Sequence, residues 1–286
     1  MTKSIKSRAL KTAVGLLLAG TVTANAQDVV IWGGFPELAG YYERVAESLS
    51  GKYPDLNVIV EPIGLRDHEK RVALGLSSGL DDATVLELIG STANRYIVND
   101  LIQPAPGGVS AFVNDSSNFE TFFQETATVN GSVYGVPVFR GQGALFYNTD
   151  MLAAAGLEGP PTTMDEYDEY AAKLTQRDAD GNPTVSGWSL RLSGGGGGIA
   201  EKFWINLHQY GGTLLEQEGD NYRAGYANEM GLAALKQYVN AVSGLKTVTV
   251  EMPADSAAFQ REQTAMFIRE SWVIGDTAKK APDLNY

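Results

Sequence analysis

The sequence predicts an α/β protein of two lobes, each a mostly parallel sheet flanked by helices, with a hinge between them. Three observations carry this prediction. Strand-like and helix-like runs alternate from Asp28 onward, and that alternation builds parallel sheets covered by helices. After the N-terminal leader about 260 residues remain, more than one hydrophobic core usually organises. Midway, Val133–Tyr147 (VYGVPVFRGQGALFY) breaks the alternation with a long, extended, glycine-interrupted stretch.

Asp28–Trp32 (DVVIW) is a β-branched run that stops at Gly33-Gly34, the pattern of a buried strand ending in a loop. Leu38, Tyr41, Val45, Leu49 and Tyr53 then recur at three- and four-residue steps until Pro54, so an amphipathic helix follows. Leu56–Ile63 is the second strand and leads through Gly64-Leu65-Arg66-Asp67 into a helix from His68 to Leu76. Ala83–Ile89 is the third strand, Gly90-Ser91-Thr92 its loop, and Ala93–Leu101 a helix turning Tyr96, Ile97 and Leu101 inward. Pro137 suits the Val133–Tyr147 stretch to a crossover better than to an interior strand.

Beyond it, Thr163 and Glu166 form a capping box that opens a second α/β lobe. There Val185–Leu192 reads as a strand, Ile199–Tyr210 as a helix, and Asn228 as the cap of a helix running to about Val242. Phe259–Gln263 leads into a strand over Thr264–Ile268, with Arg269-Glu270-Ser271-Trp272 as the loop at its carboxyl end. The expected division is a signal peptide over 1–26, a first lobe over 27–138, and a hinge strand with the second lobe over 139–286.

The leader reading rests on Lys3, Lys6, Arg8 and Lys11 ahead of the apolar run Ala13–Ala19 and on Ala24-Asn25-Ala26. Basic start, short apolar run and small-x-small end are the parts of an export signal, and the run is too short to span a bilayer. The expected location is therefore the periplasm. The chain has no cysteine, which excludes a disulfide framework, a thiol-anchored lipid and cysteine metal sites. Of its 22 basic and 34 acidic residues, the leader holds four basic ones and no acidic one, leaving a net charge of −16. Such a surface repels nucleic acid and anionic membranes.

Four segments carry a family resemblance: Asn130–Pro137 (NGSVYGVP) followed by Ala144–Leu152 (ALFYNTDML); Pro160-Pro161-Thr162-Thr163 with Glu166; Tyr210-Gly211-Gly212; and Phe259 through Ala265-Met266-Phe267-Ile268 to Ser271-Trp272. In this order they resemble the family-1 extracellular solute-binding proteins, the maltose-binding-like group of carbohydrate ABC transporters. The resemblance implies the two-lobed type II periplasmic binding protein fold and a monomer that catalyses no reaction. It also implies a small carbohydrate ligand, a permease in the inner membrane as partner, and a tryptophan after the closing motif that stacks on the sugar. Members of that group run beyond the point matching Tyr286, so the second lobe is expected to be incomplete.

A sugar presents hydroxyls around an apolar ring, so its site needs planar hydrogen-bonding groups at the edge and an aromatic plate above. Loops at the carboxyl ends of strands in open α/β sheets are where ligands bind. They offer Trp32 and Glu37, Arg66 and Asp67, Ser91 and Thr92 from the first lobe. Arg140 comes from the hinge, and Arg191, Ser193, Glu270 and Trp272 from the second lobe. Trp272 is the expected stacking plate, whereas Trp188 and Trp204 are expected in the core. Convergence of Arg66, Arg140 and Arg191 would instead suit an anionic solute such as a uronate or glycerol phosphate.

No cofactor is expected. His68 and His208 lack acidic partners at metal-ligand spacing, and Gly194–Gly198 lacks the Lys-Ser or Lys-Thr of a phosphate loop. Glu37, Asp67 and Glu270 leave a secreted glycoside hydrolase as the rival from another class, because that chemistry needs two carboxyl groups.

Overall fold

The computed structural model describes residues 27–80, 84–191, 195–249 and 251–286. The leader over 1–26 lies outside them, as do Ser193 and Ala83. The first sheet has the predicted parallel topology. Strand β1 (Gln27–Gly33) lies between β2 (Leu56–Pro62) and β3 (Thr84–Leu86), with Val29 opposite Val58 and Val30 opposite Thr84. A 3-10 turn (Pro36–Leu38) and α1 (Ala39–Ser50) join β1 to β2, α2 (Leu65–Ser78) joins β2 to β3, and α3 (Gly90–Ile97) follows β3.

Two helices differ from expectation in burial or length. No residue of α1 is buried, and Tyr41 is 47% exposed. The helix packs chiefly on β2, an edge strand, so its apolar stripe meets little else. Tyr96 and Ile97 are buried as predicted, but Leu101 is exposed. The helix stops at Ile97, and Asp100 turns the chain with φ +58, a conformation a helix cannot contain.

Two short helices, α4 (Gly107–Asn114) and α5 (Thr121–Thr126), and the β4–β5 hairpin (Thr128–Val129 with Ser132–Val133) lead to the crossover. Residues 134–142 run without regular structure into β6 (Gly143–Tyr147). Asn148 caps α6 (Thr149–Ala154) by accepting the Met151 amide at 2.8 Å. Thr163 caps α7 (Met164–Leu174) in the same way. Glu166 completes the predicted box one residue off register, accepting from the amide and hydroxyl of Thr162, both at 2.7 Å.

A β7–β8 hairpin (Gln176–Arg177, Pro183–Val185) precedes α8 (Gly195–Gln209), and the β9–β10 hairpin (Leu215–Glu218, Asn221–Ala224) follows the Gly211-Gly212 pair. Helix α9 (Glu229–Val239), capped by Asn228, ends in a turn of π-helix (Asn240–Gly244). Then come α10 (Asp255–Gln260), β11 (Met266–Glu270) and α11 (Trp272–Lys280).

β11 is the centre of the second sheet. It pairs antiparallel with β6, Phe267 opposite Phe146, and its other edge meets residues 186–189 in parallel. The strand predicted over 185–192 is thus reduced to β8 and two bridges, at Ser186 and Ser189. Between these, Gly187 runs so close to α7 that a Cβ there would sit 1.9 Å from the Ala171 carbonyl oxygen. Arg269 and Glu270 end the strand and Trp272 opens α11, so the loop predicted over 269–272 contracts to Ser271.

The larger core lies beneath this sheet and includes Leu152, Tyr167, Ala171, Trp188 and Met266. A second cluster joins Phe146, Phe259, Phe267 and Val273. Trp188 is buried as predicted, whereas Trp204 is 43% exposed. It stands on the outer side of α8 and donates its indole N–H to His208 one turn on. Among the described residues no helix is long and apolar enough to cross a membrane, and no group of metal-binding side chains forms.

Candidate functional site

The first unit builds the loop after β1 around a buried carboxylate. Glu87 follows β3, and its Oε2 accepts from the amides of Gly34 at 2.8 Å and Phe35 at 3.0 Å. Its Oε1 accepts from the Tyr42 hydroxyl of α1 at 2.7 Å. His68 of α2 lies 2.6 Å from the Glu87 carbonyl through Nε2; a carbonyl only accepts, so Nε2 carries the proton. Gly34 is required here, because a Cβ would stand 2.6 Å from the His68 ring. Burial, then the Glu87 carboxylate, pushes the Tyr42 phenol well above its ordinary range. Glu87→Ala is expected to lower the unfolding free energy by about 2 kcal/mol in urea denaturation, because buried amides lose their acceptor.

This loop reaches the crossover, where Phe35 meets Phe139 edge to face at 5.2 Å. The predicted first-unit residues are spread over β1, the 3-10 turn, α2 and α3. Trp32 is covered by the Arg71 guanidinium 3.8 Å from its ring centroid and packs on Gly75, so the indole is occupied by α2. Arg66 and Asp67 lie in the first turn of α2, paired with Glu69 and Lys70 at 2.7 and 3.0 Å. Their predicted loop is helical, and each charge finds its partner three residues on. Ser91 and Thr92 likewise open α3. Glu37 is exposed in the 3-10 turn, and exposed Arg140 stacks on Phe122 at 4.5 Å.

In the second unit a cavity of about 540 Å³ opens between β6, α7 and α8. Tyr167, Trp188 and Tyr238 form an aromatic wall, meeting edge to face at 5.1 and 5.8 Å. Burial pushes both phenols well above their ordinary range, so they remain neutral. Gln142, Thr162, Thr163, Asn206 and Gln209 supply uncharged polar groups, and Arg191 and Lys202 the cationic ones. Among the described residues, Arg191 is the only predicted one that lines this cavity.

Glu270 and Trp272 stand behind it. Lys202, 7% exposed, is ion-paired with Glu270, whose Oε2 accepts from the Trp272 indole at 3.1 Å. Arg269 lies 4.9 Å from the Trp272 ring centroid, and the indole packs against the phenylalanine cluster. Trp272 is thus half-buried, and one of its faces is taken. Burial favours the protonated Glu270 carboxyl, but the Lys202 hydrogen bond and the Arg269 and Lys202 charges outweigh it, lowering its pKa to about 2. A carboxyl held that low is ionised at neutral pH, the opposite of the raised carboxyl that a glycosidase uses as its general acid.

Sequence reasoning missed Lys202, Asn206 and Gln209. A signal was present, because polar residues at steps of four and three within an apolar helix mark one face of α8. Glu87 had no such signal, since a lone glutamate in a strand pattern reads as solvent-facing.

These elements, a parallel sheet with ligand-type loops, a crossover and a second sheet with a cavity, define the fold of the type II periplasmic solute-binding proteins. The chain belongs to the bacterial extracellular solute-binding protein family, whose profile matches residues 45–286. It is 26% identical over 293 aligned positions to a lactose-binding protein of Rhizobium radiobacter, covering 97% of this chain and 65% of that relative. A tagatose-bound solute-binding protein of an ABC transporter from Thermotoga lettingae superposes with a TM-score of 0.76 at 22% identity. That match covers 90% of this chain and 65% of the other. The glycerophosphocholine-bound UgpB of Mycobacterium tuberculosis gives 0.74 at 17%, covering 91% and 64%.

Proposed function

We propose that this protein is the solute-binding component of an ABC importer that captures a mono- or oligosaccharide and delivers it to a membrane permease without chemical change. The observation that carries this reading is the cavity of about 540 Å³ with its aromatic wall and uncharged amide and hydroxyl groups, in a chain of this family. Its volume and mixed lining are those of a small-molecule site, and the lactose-binding relative supports a sugar. The lobes span 27–138 and 139–286 and close as a hinge, bringing Glu37, Ser91 and Thr92 toward the ligand from the opposite side. Ligand then favours closure because only the closed form touches it from both lobes. The basic start, apolar run and Ala24-Asn25-Ala26 of residues 1–26 support export to the periplasm, where the protein would act as a monomer.

A second reading, an anionic solute such as a uronate or a glycerol phosphate, draws on Arg191 and Lys202 in the cavity wall. A thermal-shift screen of the protein against neutral sugars, uronates, sugar phosphates, amino acids and peptides tests both. A true ligand at a hundredfold excess over Kd is expected to raise the melting temperature by roughly 5–10 °C. A shift from an amino acid or peptide, with silence from every carbohydrate, would overturn the sugar reading.

A further inference from the structure

We infer that the second-unit cavity accepts an uncharged hydroxylated ligand and rejects its anionic analogues, and that Glu201 and Glu270 set this discrimination. The inference rests on the binding reading above and names the ligand class of the same site. Arg191 and Lys202 line the cavity, and Arg269 lies directly behind them. Each cation is already matched. Lys202 is paired with Glu270 and lies 3.8 Å from Glu201, and Arg191 lies 3.5 Å from Glu201. Arg269 stands 3.4 Å from Asp255 and 3.5 Å from Glu270. Among the described residues, three cations therefore face three carboxylates around this end of the cavity.

An anionic group entering to meet Arg191 or Lys202 would approach Glu201 and Glu270 as well. It must then either displace a carboxylate from a buried lysine or accept a like charge at close range, and both are costly. A hydroxyl faces neither penalty. Guanidinium and ammonium groups hold several N–H donors each, so both can donate to a ligand oxygen without leaving their carboxylates. Asn206 uses its amide N–H on the Ala234 carbonyl at 3.1 Å, which leaves its side-chain oxygen to accept from a ligand hydroxyl. Site charge thus provides no net attraction for an anion, while the neutral groups suit a polyol.

Calorimetric titration of the full chain with matched pairs tests this: galactose against galacturonate and galactose 1-phosphate, glucose against glucuronate and glucose 6-phosphate, and lactose as an added neutral probe. The neutral member is expected to bind at least tenfold more tightly. Glu201→Gln, whose exposed position tolerates an isosteric amide, is expected to shrink that ratio by about tenfold with an unchanged circular dichroism spectrum. Glu270→Gln is expected to shrink it in the same direction. A charged member binding as tightly as its neutral partner, or a ratio unmoved in Glu201→Gln, overturns the inference while sparing the binding reading. Silence from every carbohydrate overturns both.

Discussion

Glu270→Ala is expected to lower the unfolding free energy by about 3 kcal/mol at pH 7, because it strips the hydrogen-bonded partner from a lysine that is nearly sealed from water and leaves it with the more distant Glu201 at 3.8 Å. Lys202 is left beside Arg269 and Arg191, and the Trp272 indole loses its acceptor. The pH dependence separates this electrostatic loss from a packing loss. The Glu270 carboxyl falls from an ordinary 4.5 to about 2 in the folded protein. Its stabilisation is therefore fully present above the unfolded value and is lost as pH falls from about 4.5 toward 2. Urea melts of the protein and of Glu270→Gln should differ most near neutrality and converge across that window. A constant difference from pH 7 down to 3 would show that Glu270 acts through shape and not charge.

Phe267→Ala is expected to cost about 3–5 kcal/mol, independent of pH, since a fully buried phenylalanine at the centre of a core leaves a cavity that its neighbours cannot close. The ring lies 5.4 Å from that of Phe146 and 4.7 Å from that of Phe259, and its backbone is flanked on both edges. Strand neighbours on either side hold the surrounding backbone, so little collapse can offset the loss. Phe267→Leu is expected to retain roughly half of that stability. A loss under about 1 kcal/mol for Phe267→Ala in guanidinium unfolding would mean that this sheet is not the rigid centre of the second unit. Ligand titration of the same variant would then show whether the Glu270 end of β11 depends on the packing at its middle.

The order and type of most elements were legible in the sequence, because each is a local pattern. Runs of β-branched residues, three- and four-residue apolar steps, and caps such as Asn148, Thr163 and Asn228 depend on neighbours within a few positions. Family membership was legible for a related reason, since its motifs are short, ordered and spread along the whole chain. Local pattern also placed the carboxyl-end loops, but it misjudged their extent. Arg66, Asp67, Ser91 and Thr92 lie inside first helical turns, where backbone amides need no side-chain signal to begin coiling.

What the tertiary structure alone decided is which polar residues meet. Arg191 and Lys202 both approach Glu201, and Lys202 joins Glu270 across 68 positions, through a helix and a strand whose separation no spacing rule encodes. Glu87 reaches Gly34 across 53 positions for the same reason. Trp32 and Trp272 look alike in sequence, each a tryptophan at the carboxyl end of a strand-like run. Their difference comes from what lies on each ring: Arg71 with α2 on one, Arg269 and a cluster of phenylalanines on the other. The sequence by itself determined the elements and the family, because backbone preference and apolar periodicity are short-range. Charge pairing and burial are long-range sums over a packed structure, so the site's composition and its balance of charge emerged only when the chain was folded.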